Sequence, residues 1–126
     1  MAHTILVSGS RTFPDAPLVE QTISDLIQPG DTLIHGTARG VDTWAALTAH
    51  RKGAIVLNRP ANWSVHGKRA GMIRNEQMLK ELLASPNPIV VIFWDGHSRG
   101  THHMIQLCET RSIPFRLIRP SRSTPA

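Results

Sequence analysis

The chain has 126 residues, 40% of them hydrophobic and 18% charged, with 14 Lys plus Arg against 9 Asp plus Glu and a net charge of +5. That profile describes one globular domain whose length buries enough surface to fold without disulfides or metals. No apolar run reaches the roughly 18 residues of a membrane span, Met1-Ala2-His3-Thr4 lacks a signal-peptide pattern, and Cys108 is the single cysteine, so the expected compartment is reducing and cytoplasmic.

Five short apolar or β-branched runs read as strands: Thr4 to Ser8, Thr32 to His35, Ala54 to Leu57, Ile89 to Trp94 and Phe115 to Ile118. Helices are expected between them. The first starts at Asp15 and Pro17, carries Val19, Ile23, Leu26 and Ile27 on one face, and stops at Pro29-Gly30. The second, roughly Val41 to Lys52, turns Val41, Trp44, Ala45 and Thr48 inward and ends at Gly53. The third runs about Ala70 to Leu83 with Met72, Leu79, Leu82 and Leu83 inward, before Pro86 and Pro88. The fourth, about Gly100 to Arg111, carries Met104, Ile105 and Cys108 on its apolar face, and the tail 119–126 reads as disordered.

Strict β-α alternation implies a parallel sheet whose right-handed crossovers are the helices. The fold class is therefore α/β: a single Rossmann-like three-layer α/β/α domain over 1–118 with a five-stranded parallel sheet. The expected strand order is 3-2-1-4-5, with the ligand crevice where the order reverses, between the first and fourth strands.

The loops after the strands converge on that crevice. The first is Ser8-Gly9-Ser10-Arg11, the second Gly36-Thr37-Ala38-Arg39-Gly40, and the fourth Gly96-His97-Ser98-Arg99-Gly100-Thr101. The third, Asn58 to Gly71, carries Trp63, His66, Lys68 and Arg69, and the helix after it opens with Arg74 and Asn75. Glycine lets backbone N–H groups approach a phosphate, helix N-termini add partial positive charge, and arginine forks match phosphate oxygens. Tight turns explain the glycines but not the arginines coupled to them. The expected ligand is anionic and phosphate-bearing, although neither a Walker-type loop nor the GxGxxG fingerprint occurs. The sequence pI of about 10.7 suits such a partner without selecting it.

Taken in order, VSGSRTF at Val7 to Phe13, HGTARGVDTWAA at His35 to Ala46, NWSVHGKRAGMIRNEQML at Asn62 to Leu79 and RGTHHMI at Arg99 to Ile105 resemble the YspA-like, cpYpsA-related group of the SLOG superfamily. The resemblance implies a Rossmann-like fold that binds nucleotides or nucleotide-derived ligands; relatives include the LOG phosphoribohydrolases and the DNA-processing protein A family. In the LOG enzymes a PGGxGTxxE motif supplies phosphate-binding glycines and a catalytic Glu, and RKxxM supplies a catalytic Arg. Gly100-Thr101 matches the GT, and Arg74 with Met78 matches the Arg and Met, but Met104 stands where the Glu would be. Methionine cannot act as a base or stabilise an oxocarbenium-like centre, so binding leads over hydrolysis.

Three carboxylates could substitute. Asp42 occupies the first turn of the second helix, where it suits the helix dipole. Asp95 ends the fourth strand beside the crevice and is the better alternative. Glu76 points about 200° away from Arg74 and reads as solvent-facing. Trp63 either stacks on a nucleobase or packs its loop onto the body, while Trp44 and Trp94 read as core. His102 and His103 point about 100° apart, so with His97 and His66 they form no expected metal site. Cys108 reads as a small core residue, and Ser10 as a phosphate donor without triad partners.

The leading expectation is binding of a nucleotide or nucleotide-derived ligand, a sensor role included, through Gly9, Ser10, Arg11, Gly36, Thr37, Arg39, Gly40, Asp42, Trp63, Lys68, Asn75, Gly96, Ser98, Arg99, Gly100 and Thr101. The alternative is an N-glycosidase or phosphoribohydrolase acting on a nucleoside monophosphate or NAD-like substrate, with Arg74 and Asp95 catalytic. A single-stranded nucleic-acid module is the third reading, from the net charge and Arg116, Arg119 and Arg122. No cofactor, metal or membrane partner is expected, and a homodimer is compatible with the sequence.

Overall fold

The computed structural model describes residues 2–120. From residue 121 onward the expected tail lies outside the described residues. The elements in chain order are β1 (Thr4–Gly9), α1 (Ala16–Leu26), β2 (Thr32–His35), α2 (Val41–Arg51), β3 (Ile55–Asn58), α3 (Trp63–His66), a 3₁₀ turn (Gly67–Arg69), α4 (Ala70–Leu83), β4 (Pro88–Phe93), α5 (Arg99–Thr110) and β5 (Arg116–Ile118). The strands form one parallel sheet in the order β3-β2-β1-β4-β5. This is the expected Rossmann-like α/β arrangement. Register is set along the full length of the central pair, from Thr4 opposite Pro88 to Gly9 opposite Phe93.

Successive residues of a strand face opposite sides of a sheet, and β1 builds a core on each. Ile5 and Val7 join Leu33, Val91 and Phe93 against Val19, Ile23 and Ile27 of α1 and its end and Val41, Ala45 and Ala49 of α2. Leu6 joins Ile34, Val90 and Ile92 against Met78, Leu79 and Leu82 of α4 and Met104, Ile105 and Cys108 of α5. All three layers therefore meet at β1, where Leu6 is fully buried and its truncation to Ala would cost about 2–5 kcal/mol.

The helix ends follow local chemistry. Asp15 caps α1 by accepting the Leu18 N–H, with proline in the first turn. Gly53, at φ 82°, ends the turn after α2. Ser98 caps α5 by accepting the Thr101 N–H.

Two expected core residues of α4 differ from the sequence reading: Met72 is 51% and Leu83 50% exposed. Met72 lies two turns nearer the helix start than Leu79, at the level of the crevice rather than the sheet, and Leu83 is rotated about 100° from the buried Leu82. Asn75 and Met78 are buried in that helix instead. Trp94 is only half-buried: its ring stacks on His102 with centroids 5.2 Å apart, and the Arg119 guanidinium lies 5.1 Å from its centroid. No helix among the described residues is long and apolar enough to cross a membrane.

Candidate ligand-binding site

A cavity of about 860 Å³ opens at the carboxyl edge of the sheet, between the loops after β1, β2 and β4, with the segment from Pro60 to Trp63 and the start of α4 closing one side. The strand order reverses there. Of the residues singled out from sequence, Gly9, Arg11, Gly36, Thr37, Asp42, Trp63, Arg74, Asn75, Ser98, Arg99, Gly100 and Thr101 line it. Ser10, Arg39, Gly40, Lys68, Asp95 and Gly96 are not among its lining residues.

The glycines of the three crevice loops do different work. A Cβ on Gly9 would overlap the Val41 side chain, so Gly9 lets α2 pack onto β1. A Cβ on Gly36 would overlap the Arg74 guanidinium. Gly40 has φ 73° and would bring a Cβ within 2.8 Å of the Arg11 carbonyl oxygen, so it serves the turn into α2. At Gly100 an added Cβ meets nothing within 4 Å. Only at this last position, in the first turn of α5, is space open for a close-approaching ligand.

Asp95 is held by the protein itself. Its Oδ2 accepts the Thr12 hydroxyl at 2.6 Å, and its Oδ1 accepts the N–H groups of His97 and Ser98 at 2.8 and 3.0 Å. The Asp95 N–H donates in turn to Ser10 Oγ at 3.2 Å, and Ser10 is fully buried. Burial pushes the Asp95 carboxyl up, but hydrogen bonds from Thr12, His97, Ser98 and Ser10 outweigh it and hold it well below the usual carboxylate range. Its geometry is that of a clasp shaping the loop after β4, with both carboxylate oxygens engaged by Thr12, His97 and Ser98.

Asp42 stands in the first turn of α2, as expected, and is buried there. It is 4% exposed, and its Oδ2 accepts the N–H groups of Gly36 at 3.0 Å and Ala38 at 3.2 Å. Its Oδ1 is buried without a hydrogen-bond partner among the described residues. Burial raises its pKa from 3.8 to about 6, against the opposing effects of those two amides and the Arg74 charge. Among the described residues it is the acidic residue of the cavity lining.

Beside it, His35 Nδ1 accepts the Thr37 N–H at 3.0 Å while Nε2 lies 2.6 Å from Asn58 Oδ1, which fits a neutral ring donating from Nε2. Thr37 is held at φ 64°. Arg74 donates from Nη1 to the Gly36 carbonyl at 2.5 Å and from Nε to Asn75 Oδ1 at 3.1 Å. Asn75 Nδ2 reaches the Gly100 carbonyl at 3.2 Å and His103 Nδ1 at 3.1 Å. This pair ties α4 to the loop after β2 and to the start of α5.

Sequence reasoning missed α3 and the two-pronged ion pair that fixes the chain before it, in which Arg59 Nε and Nη2 each lie 2.8 Å from a Glu81 oxygen. The signal for α3 was Asn62, whose side chain accepts the Val65 N–H. Glu76 is exposed and pairs with Arg111 at 2.7 Å, as a solvent-face residue does. Met104 is fully buried against the α4 core, so the position that matches the LOG glutamate is packing. Cys108 is buried beside it, and burial pushes its thiol up to about 11, consistent with an inert core residue.

Residues 3–66 match the family described as YspA, cpYpsA-related SLOG family. The chain is also 32% identical over 119 residues to the Gene 61 protein of Mycobacterium phage D29, an alignment that covers 87% of this chain and 91% of that protein. The fold, the loop motifs at its carboxyl edge and these matches together make the chain a member of the YspA, cpYpsA-related SLOG family.

Proposed function

We propose that the protein binds a nucleotide or nucleotide-derived, phosphate-bearing small molecule in this cavity. The carrying observation is that Arg11, Arg74 and Arg99 line one concave space together with the first turn of α5 and its unobstructed Gly100. A helix N-terminus with free amides favours an anion, and guanidinium groups supply charge-assisted hydrogen bonds to phosphate oxygens. Belonging to a SLOG family accords with nucleotide-related binding or processing.

In this reading the phosphate sits at the start of α5, within reach of Arg99 and Arg11. The β2–α2 loop does not hold it, because Gly36, Thr37 and Ala38 already donate their N–H groups to Asp42 and His35. Trp63, 61% exposed at the cavity rim, offers an indole face to the base.

The test is incubation of the full chain with nucleoside monophosphates, cyclic nucleotides, NAD and ADP-ribose, followed by ultrafiltration and mass spectrometry of both fractions. Retention of an intact nucleotide is the expected result. Absence of retention for every compound, at protein concentrations of tens of micromolar, overturns the reading. Free base appearing beside a ribose phosphate would replace binding with N-glycosidic hydrolysis.

A further inference from the structure

We propose that Asp42 reads the sugar of the ligand, its free Oδ1 accepting a hydrogen bond from a ribose hydroxyl, so that the site distinguishes ribonucleotides from their deoxy counterparts. The inference rests on the nucleotide reading above and adds to it a selecting residue and the group it selects.

The argument begins with the unpaired oxygen. Buried polar atoms are nearly always hydrogen-bonded, because an unsatisfied one forfeits its hydration without replacement. Asp42 is 4% exposed, its Oδ2 is engaged by two backbone amides, and its Oδ1 has no partner among the described residues although the residue lines the cavity. A ligand seated there can supply the missing donor.

The surroundings limit what that donor is. Arg11, Arg74 and Arg99 line the same space, and the Arg74 charge acts on Asp42 directly, so a cationic donor would be repelled. A neutral donor on an otherwise anionic molecule meets both demands. The reading above then favours the sugar. With the phosphate at the start of α5 and the base against Trp63, the sugar hydroxyls are the neutral donors left for Asp42, which lines the same cavity as both.

The experiment uses the full chain and calorimetric titration. The best retained of the four ribonucleoside 5′-monophosphates is compared with its 2′-deoxy, 3′-deoxy and 2′,3′-dideoxy forms, with wild type and Asp42→Asn. Asn keeps a carbonyl oxygen for the Gly36 and Ala38 amides and replaces the free acceptor with a donor. The wild type should prefer the ribonucleotide over at least one deoxy form by roughly tenfold or more, as for a hydrogen bond to a charged group, and the variant should lose that preference while keeping its affinity for the deoxy form.

Equal wild-type affinity for the ribo, deoxy and dideoxy forms overturns the proposal and leaves nucleotide binding intact. A preference that survives Asp42→Asn overturns it too. If no monophosphate binds at all, the sugar proposal falls, and nucleotide binding falls with it only when cyclic nucleotides, NAD and ADP-ribose are not retained either. Should the variant not fold, the ¹³C resonance of the Asp42 carboxyl in the wild type decides: it should move on adding the ribonucleotide and stay on adding the dideoxy form, and an equal response to both counts against the proposal. An amino group of the base as the donor would appear instead as discrimination between AMP and IMP with no discrimination among the sugars.

Discussion

His35 and Asp42 between them take up three consecutive backbone amides of one loop: Thr37 donates to His35 Nδ1 at 3.0 Å, and Gly36 and Ala38 donate to Asp42 Oδ2 at 3.0 and 3.2 Å. The loop after β2 thus carries a built-in anion, and its conformation, including Thr37 at φ 64°, depends on two titratable side chains. Burial and the Arg74 charge lower the pKa of His35 despite its bond to Asn58, whereas burial raises that of Asp42 to about 6. Their contributions to stability therefore run in opposite directions with pH.

For Asp42 the folded value lies above the ordinary 3.8, so the fold is favoured when the carboxyl is protonated, and that advantage is lost as pH rises through about 6. The difference corresponds to about 3 kcal/mol between the extremes. Wild type should therefore gain stability relative to Asp42→Asn as pH falls from 7 to 4. Urea midpoints at several pH values measure this, and a difference between the two proteins that stays flat with pH would contradict it.

His35 acts in the opposite sense. Its stabilising acceptor, Nδ1, exists only in the neutral ring, so its contribution is full above pH 6.5 and is lost as pH falls through the lowered folded value. In an Asp42→Asn background, which removes the competing titration, stability should fall between pH 7 and 5. A further His35→Gln change should flatten that slope and cost roughly 1–3 kcal/mol at pH 7, the range for an orphaned amide.

The glycines separate packing from binding. Gly9→Ala drives a methyl into the fully buried Val41 and should cost about 1–3 kcal/mol or more. Gly100→Ala meets open space in a helical turn and should leave thermal stability unchanged or raise it by up to about 1 kcal/mol, while weakening nucleotide binding. Thermal melts and titrations of the two variants would show opposite patterns. Unchanged affinity in Gly100→Ala removes α5 as the phosphate site.

Much of the fold was legible because buried parallel strands announce themselves as apolar runs, and five of them alternating with helical periodicity leave few topologies. The strand order follows from that pattern, and the starts of α1 and α5 coincide with their caps, Asp15 and Ser98. The site was legible only as a neighbourhood. Spacing brought Arg11, Arg74, Arg99 and Gly100 to one edge, but not which polar groups would consume one another there. Asp95 and Asp42 show this: local amides and Thr12 claim both oxygens of the first, while burial leaves one oxygen of the second free. Gly9 and Gly36 likewise read as phosphate glycines until the side chains of Val41 and Arg74 are seen beside them.

Two arginines that look alike in sequence should behave differently. Arg99 lines the cavity in the first turn of α5, whereas the exposed Arg39 does not line it. Arg99→Ala should weaken nucleotide binding by roughly tenfold or more, as expected for a lost charge-assisted contact, and Arg39→Ala should leave it within about twofold, since an exposed charge outside the cavity acts only through screened potential. Titrations at fixed salt, with thermal melts to verify folding, make the comparison. Equal losses would mean that general positive charge, not the crevice, drives binding, and would move the protein toward the nucleic-acid reading, where affinity falls steeply with salt.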